Sequence, residues 1–453
     1  MRKKVYNAIA LCLFLSAFPL TACDTPIGSG NGNEHVLRVA SWDEYIDEGG
    51  EDSYKEGSSP LYEEFETWYF EQTGKTITVE YVELQDNETM YNKIKMGDKY
   101  DLLCPSEYMI MKLEKEGYLQ ALPTSFFNTE TETNYYAKNV SPYIKEVFDS
   151  LTLQDKENSP MSKYAAGYMW GSTGFVYNPD KIGASAEESR EIMSSWNAFT
   201  SPACTRKITA KDNVRDSYFA GLGMYYETEL LTLGERYKTG EIMLAEYKTQ
   251  LSDKMNDVTA TTMNGVKTKL IGMRKNLYGL ETDEGKNAVI TGELAASYQW
   301  SGDAVYILDE AEAYDENTLL EYSVPSSASN LWFDGWVMMQ GANVDAATAF
   351  INFLSIPENV VRNMYYIGYT SCIGGDEVFS YVDETYGDEE GDATYDLSYF
   401  FGENYVLTTT EEQTRRQLFA QYPDSTTINR LVVMKYFDKK TNEDANRMWN
   451  NIK

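Results

Sequence analysis

Histidine occurs once in 453 residues, and the 39 lysines and arginines fall far short of the 71 aspartates and glutamates, leaving a formal charge of −32. Each shortage excludes a class of chemistry. Without a second imidazole there is no material for a His-rich zinc site, and the lone His35 sits in a polar lead-in before the first apolar run, where it reads as a solvated linker residue rather than a member of a Ser-His-Asp relay. A chain this acidic repels phosphate backbones, so no nucleic-acid partner is expected. Cysteine is also scarce. Setting aside Cys12 and Cys23 near the N-terminus leaves Cys104, Cys204 and Cys372, an odd set whose spacing suggests neither a disulfide framework nor a metal site. Cys104, in the apolar run Asp101-Leu-Leu-Cys104, reads as a small core residue. Long apolar runs are absent beyond the first residues. Gly279 to Asn287 has the wrong glycine spacing for a phosphate loop, and no repeat is found. No cofactor is implied. The acidic segments Asp47 to Glu56 and Asp376 to Asp396 lack the calcium-loop pattern and read as solvated loops.

The N-terminus has export anatomy: Arg2, Lys3 and Lys4, then an apolar stretch from Ala8 to Leu20 broken by Ser16, then Leu20-Thr21-Ala22-Cys23. The stretch is short of the roughly 20 apolar residues a spanning helix needs. Residues 1–22 are therefore expected to be a removable signal segment. Cysteine after Leu-x-Ala resembles the bacterial lipoprotein signal, which implies that Cys23 becomes lipid-modified; simple secretion is the alternative. Residues 23–35 then form the anchor and a Gly/Asn/Ser-rich tether to an extracytoplasmic body, at the cell surface or in a periplasm.

The body alternates strand and helix patterns. Val36 to Ala40, Thr76 to Val82 and Tyr100 to Cys104 read as strands, with helical spacing over Leu61 to Gln72, Asn87 to Met96 and Ser106 to Glu116. Strand patterns return at Thr173 to Tyr177, Leu294 to Trp300 and Trp332 to Met339, and a helix at Ala346 to Leu354. Tyr218 to Asn287 reads as mostly helix without strand signals. Such alternation predicts an α/β fold with a largely parallel sheet, and the length predicts two domains.

Aromatic residues make up 14 % of the chain, with 36 tyrosines. Four segments set them beside carboxylates: Trp42-Asp43-Glu44-Tyr45 after the first strand, Ser106-Glu107-Tyr108 after the third, Trp300-Ser301-Gly302-Asp303, and Trp332-Phe333-Asp334 at a strand start. In open α/β sheets ligands bind beyond the carboxyl ends of strands. Aromatic faces beside acids, with no Arg or Lys adjacent, suit an organic cation. An ammonium about 4 Å from a carboxylate gains roughly 4 kcal/mol at an effective dielectric near 20, and an aromatic face adds about 0.5 to 2 kcal/mol. A polyamine joins such cations by methylenes that pack on the same rings.

The segments SWDEY (41–45), NETMYNKIK (87–95), YDLLCPSEY (100–108), GYMWGSTGFVYN (167–178), WSGD (300–303), WFDGW (332–336), INFL (351–354) and IGY (367–369) together resemble the spermidine/putrescine-binding proteins of bacterial ABC transporters. The resemblance implies a two-lobed clamp of the type II periplasmic-binding class, with lobe one comprising 36–165 and 332–377 and lobe two 166–331 and 378–453. It implies that Trp42, Tyr45, Tyr108, Trp300, Trp332 and Tyr369 are aromatic walls, and that Glu44, Asp216, Asp303 and Asp334 are acidic contacts. Ser106 supplies a hydroxyl, and Asp43 adds an acid where relatives often have Ser or Thr. Asn213 stands where spermidine-type members carry an acid, whereas Trp300 and Asp303 match the putrescine type. The implied partners are a polyamine, a membrane permease of an ABC transporter, and the membrane through the lipid, with the protein a monomer and not an enzyme.

Three other readings compete. A glycosidase could use Asp303 and Asp334 as acid and base. A surface adhesin or scaffold would have no ligand. A sugar or amino-acid binder is the third; for an amino acid, the absence of a cation beside these acids leaves the ligand carboxylate unmatched.

Overall fold

The computed structural model describes residues 35–154, 157–281, 284–315 and 317–453. The expected signal segment, Cys23 and the tether to Glu34 lie outside the described residues. The first strand, β1 (Val36–Trp42), pairs in parallel with β2 (Thr78–Leu84) from Val36 opposite Thr78 to Trp42 opposite Leu84. The crossover helix Leu61–Thr73 buries Leu61, Phe65 and Tyr69, three positions at four-residue spacing. It stops at Gly74, whose φ of 70° is left-handed backbone that a side chain resists. The second crossover, Asn87–Met96, is capped by Asp86, which accepts from the Thr89 N–H at 2.6 Å. It leads to β3 (Leu102–Leu103) on the other side of β1. The three early strands and three early helices read from the sequence are all present.

Seven further strands follow, five of them on the main path and β4 and β9 beside it: β4 (Leu119–Gln120), β5 (Ala165–Tyr177), β6 (Ile208–Lys211), β7 (Gly279–Glu281), β8 (Ala296–Trp300), β9 (Glu321–Ser323) and β10 (Ser329–Met339). The order is β2-β1-β3-β10-β5-β8-β6-β7, with β4 and β9 pairing β10 and β5 beside it. All thirteen residues of β5 are buried. Its first part, Ala165 to Ser172, pairs antiparallel with β10, and its second part, Thr173 to Tyr177, pairs antiparallel with β8. One continuous strand thus belongs to two sheet halves, each with its own core. One core is built on Leu37, Val39, Leu103, Ile110 and Phe333, the other on Trp196, Phe199, Phe219 and Tyr298. β11 (Thr370–Ser371) joins β5, the hairpin β12 (Ala393–Asp396) and β13 (Val406–Thr409) stands apart, and β14 (Leu431–Val433) joins β10.

Several sequence expectations are corrected. Asp376 to Asp396 is not a loop: Asp376–Tyr386 is a helix that buries Val378, Tyr381 and Val382 and leaves its acids outside, and β12 follows. Asp47 is fully buried, not solvated, and its carboxylate receives the Arg362 guanidinium at 2.7 Å. The stretch from Tyr218 to Asn287 is mainly helical, over Val214–Lys238, Leu244–Met255 and Ala260–Asn276, but contains β7. Trp332 lies inside β10 rather than at its start. Cys104, Cys204 and Cys372 are buried free thiols, and among the described residues no helix is long and apolar enough to cross a membrane.

Candidate functional site

The carboxyl ends of β1 and β3 face the middle of β10, and there Asp334 is 5 % exposed. A β-bulge puts it in place: Asp334 faces Met169 and Gly335 faces Gly167, so Tyr168 of β5 is skipped and the strand is re-aimed. One Asp334 oxygen accepts from Trp42 Nε1 at 3.0 Å and from the Tyr45 hydroxyl at 2.7 Å. Ser106, bridged to Asp334 through its backbone, adds a third hydrogen bond. Burial lifts Asp334 above the ordinary carboxylate range, and the bonds from Ser106, Tyr45 and Trp42 restrain that rise. All three donors are neutral, and among the described residues no Lys or Arg forms an ion pair with Asp334. Asn87, not anticipated as part of the site, holds Ser106 in place by donating to its hydroxyl at 2.9 Å and accepting from its backbone N–H at 3.0 Å.

Aromatic rings carry the site toward the second sheet half. Tyr45 meets Tyr369 edge-on with centroids 5.9 Å apart, and Tyr369 packs against Trp332 at 5.4 Å. Trp332 is locked by its indole N–H to the Ser172 carbonyl, 3.0 Å. The Tyr369 hydroxyl then donates to Asp303 at 3.1 Å. The glycine of Trp-Ser-Gly-Asp has a steric reason, since a β-carbon at Gly302 would overlap the Tyr369 ring.

Asp303 differs from Asp334. Lys211, the last residue of β6, reaches one of its oxygens at 3.1 Å, and Lys286 reaches the other at 2.9 Å. Burial pushes Asp303 up, but the two ammonium groups outweigh it and leave the carboxyl below its usual range. The Lys211 ammonium also lies 4.2 Å from the centre of the Trp300 ring. Asp216, in the first turn of Val214–Lys238, is buried beside the same group. Burial raises it to about 6, opposed by Lys211, a hydrogen bond from Trp300, and Arg215. Asn213 caps this helix, accepting from the Arg215 and Asp216 N–H groups.

The remaining anticipated residues sit at the margin. Asp43 and Glu44 are exposed on the turn after β1, with Glu44 at φ 51°. Tyr108 donates to Glu88 at 3.2 Å and lies under the Arg215 guanidinium, 4.7 Å from its ring centre. The residue before it, Glu107, is 2 % exposed. Burial first, then the charge of Asp334, pushes it up to about 8, against bonds from its own and the Phe333 backbone and the charge of Arg215. The segment Trp300-Ser301-Gly302-Asp303 has no Arg or Lys adjacent in sequence, yet folding brings Asp303 two cations, Lys211 from β6 and Lys286 from the helix Glu284–Ile290. β6 carried no sequence expectation, and Lys286 fell in the glycine segment read only as a failed phosphate loop.

A buried carboxylate beside a bulge, a file of tyrosine and tryptophan rings and a strand shared between two sheet halves make up the candidate site. Residues 61–374 match the bacterial extracellular solute-binding protein family, and the chain belongs to it. It is 23 % identical over 348 residues to the putrescine-binding periplasmic protein of Escherichia coli, spanning 76 % of this chain and 80 % of that protein. To the spermidine/putrescine-binding periplasmic protein of Salmonella typhimurium it is 25 % identical over 337 residues, 74 % of this chain and 76 % of that one. The solved spermidine/putrescine ABC transporter substrate-binding protein of Streptococcus pneumoniae superposes with a TM-score of 0.59 at 25 % identity, over 92 % of this chain and 98 % of that one. The fold is the two-lobed α/β clamp of periplasmic solute-binding proteins.

Proposed function

We propose that this protein captures a polyamine, putrescine and/or spermidine, between its two lobes and delivers it to the permease of an ABC transporter. The observation that carries this reading is Asp334, a buried carboxylate held by three neutral donors, two of them Trp42 and Tyr45, with the Tyr369 and Trp332 rings continuing from Tyr45. Among the described residues no cation pairs with it, and an alkylammonium there would also meet aromatic faces. The names of the curated relatives point to the same ligands. Trp42, Asp43, Glu44, Tyr45, Ser106, Tyr108, Asp216, Trp300, Asp303, Trp332, Asp334 and Tyr369 form the proposed ligand cleft. The lobes divide at 36–165 with 332–377 and 166–331 with 378–453, so that a ligand touching both stabilises the closed state.

In this reading the protein is monomeric, binds without transforming its ligand, and is held outside the cytoplasm by a lipid on Cys23, which keeps it near the permease. Calorimetric titration of the form beginning after Cys23 with putrescine, spermidine, spermine, a sugar panel and lysine tests the reading. One-to-one binding of a polyamine at micromolar concentration or below is expected. A folded protein silent toward every polyamine would overturn it.

A further inference from the structure

Lys211 is the last residue of β6, 3 % exposed, with its Nζ 3.1 Å from an Asp303 oxygen and 4.2 Å from the centre of the Trp300 ring. Carboxylate on one side and indole face on the other is the environment that a bound alkylammonium seeks. Here the chain supplies the ammonium itself. The rest of Asp303 is also engaged, by Lys286 at 2.9 Å and the Tyr369 hydroxyl at 3.1 Å. Asp334, at the other end of the Tyr45–Tyr369–Trp332 file, receives only neutral donors. The two carboxylates are therefore not equivalent: among the described residues, Asp303 pairs with two cations and Asp334 with none.

We propose that Lys211 is a built-in ammonium that fills the Trp300–Asp303 amine subsite and sets specificity, so that the cleft accepts one fewer ligand ammonium than its carboxylate and aromatic residues could serve. The proposal rests on the polyamine reading above. A ligand nitrogen entering the Asp334 end finds an uncompensated carboxylate. A further nitrogen reaching Trp300 meets a like charge held at a few ångströms in a buried setting, a repulsive element of the kind that rejects a competitor. Among linear polyamines the protein is thus selective for a diamine over a triamine, and Lys211 is the residue that enforces it.

The test is the ratio of spermidine to putrescine dissociation constants, measured by calorimetry on the soluble form for the wild type, Lys211→Met and Lys211→Gln. Methionine keeps an unbranched apolar stem and removes the charge, while glutamine retains a hydrogen-bond donor for Asp303 should the first variant unfold. A shift of at least tenfold toward spermidine in either folded variant is expected. An unchanged ratio, or a shift toward putrescine, in proteins that bind amines would overturn the role of Lys211 and leave the polyamine reading standing. Silence of wild type and variants toward both amines, with intact thermal transitions, would overturn both together.

Discussion

At the scale of single residues, the contrast between Asp334 and its neighbours decides what the cleft can do. Burial pushes the Asp334 carboxyl up, and hydrogen bonds from Trp42, Tyr45 and Ser106 restrain that rise. On the proposed polyamine reading, an ammonium would pair with this carboxylate, so Asp334→Asn is expected to weaken polyamine binding by more than about tenfold, on the order of 1.4 kcal/mol. Calorimetry on a variant with an unchanged unfolding transition checks this, and equal affinity removes Asp334 from the site. Glu107 plays a second part. With its carboxyl pushed up to about 8 by burial and by Asp334, it stays protonated at neutral pH and spares the region another negative charge. Because the folded value lies above the 4.5 of the free side chain, the folded state holds the proton more tightly. Its favourable contribution is complete below that value and is lost as pH climbs toward 8. Glu107→Gln is accordingly expected to flatten the fall in urea midpoint between pH 5 and pH 8. The same fall in wild type and variant would show that this carboxyl is not its source.

At the scale of elements, the helix Pro357–Ile367 pins the start of the chain through one side chain. Arg362, fully buried, donates to Asp47 at 2.7 Å, Glu64 at 2.9 Å, the Ser58 hydroxyl at 2.9 Å and the Ser59 carbonyl at 3.1 Å. It thereby fastens the segment that follows β1 and the helix Leu61–Thr73 to an element far along the chain. Arg362→Met leaves Asp47 buried without its cation, and such a loss costs about 3 to 5 kcal/mol. Chemical denaturation is expected to register it, with Arg362→Lys recovering only part because an ammonium cannot reproduce the fork. A midpoint within error of wild type would show that Asp47 finds another partner.

Asp47 also marks where the sequence ceases to be legible. Its neighbourhood is acidic and polar, and its partner stands 315 positions away. Lys211 and Lys286 escape notice for the same reason: each is an ordinary lysine until folding sets it against Asp303. In Asp376–Tyr386 the information was local but obscured, because acidic composition masked the helical spacing of Val378, Tyr381 and Val382. By contrast, the early strands and helices follow from apolar periodicity within a few turns. The aromatic and acidic residues at strand ends were visible as segments, and the structure brings Trp42, Tyr45, Ser106, Trp332, Asp334, Tyr369, Trp300 and Asp303 into one connected file.

At the scale of the whole molecule, what no local pattern contains is the order of the sheet. Alternation of strand and helix predicts neighbours that follow one another, yet β10 enters between β3 and β5 and runs antiparallel to both. That insertion has a consequence in time. During synthesis β1, β2 and β3 emerge early, but the free edge of β3 stays open until Ser329–Met339 has been made. Asp334, around which Trp42, Tyr45 and Ser106 gather, arrives in that same strand. Pairing over so long a separation is slow to form. In a nascent chain of this topology one late strand closes the edge of β3 and brings Asp334 to Trp42, Tyr45 and Ser106, and Tyr369, β11 and β14 follow later still.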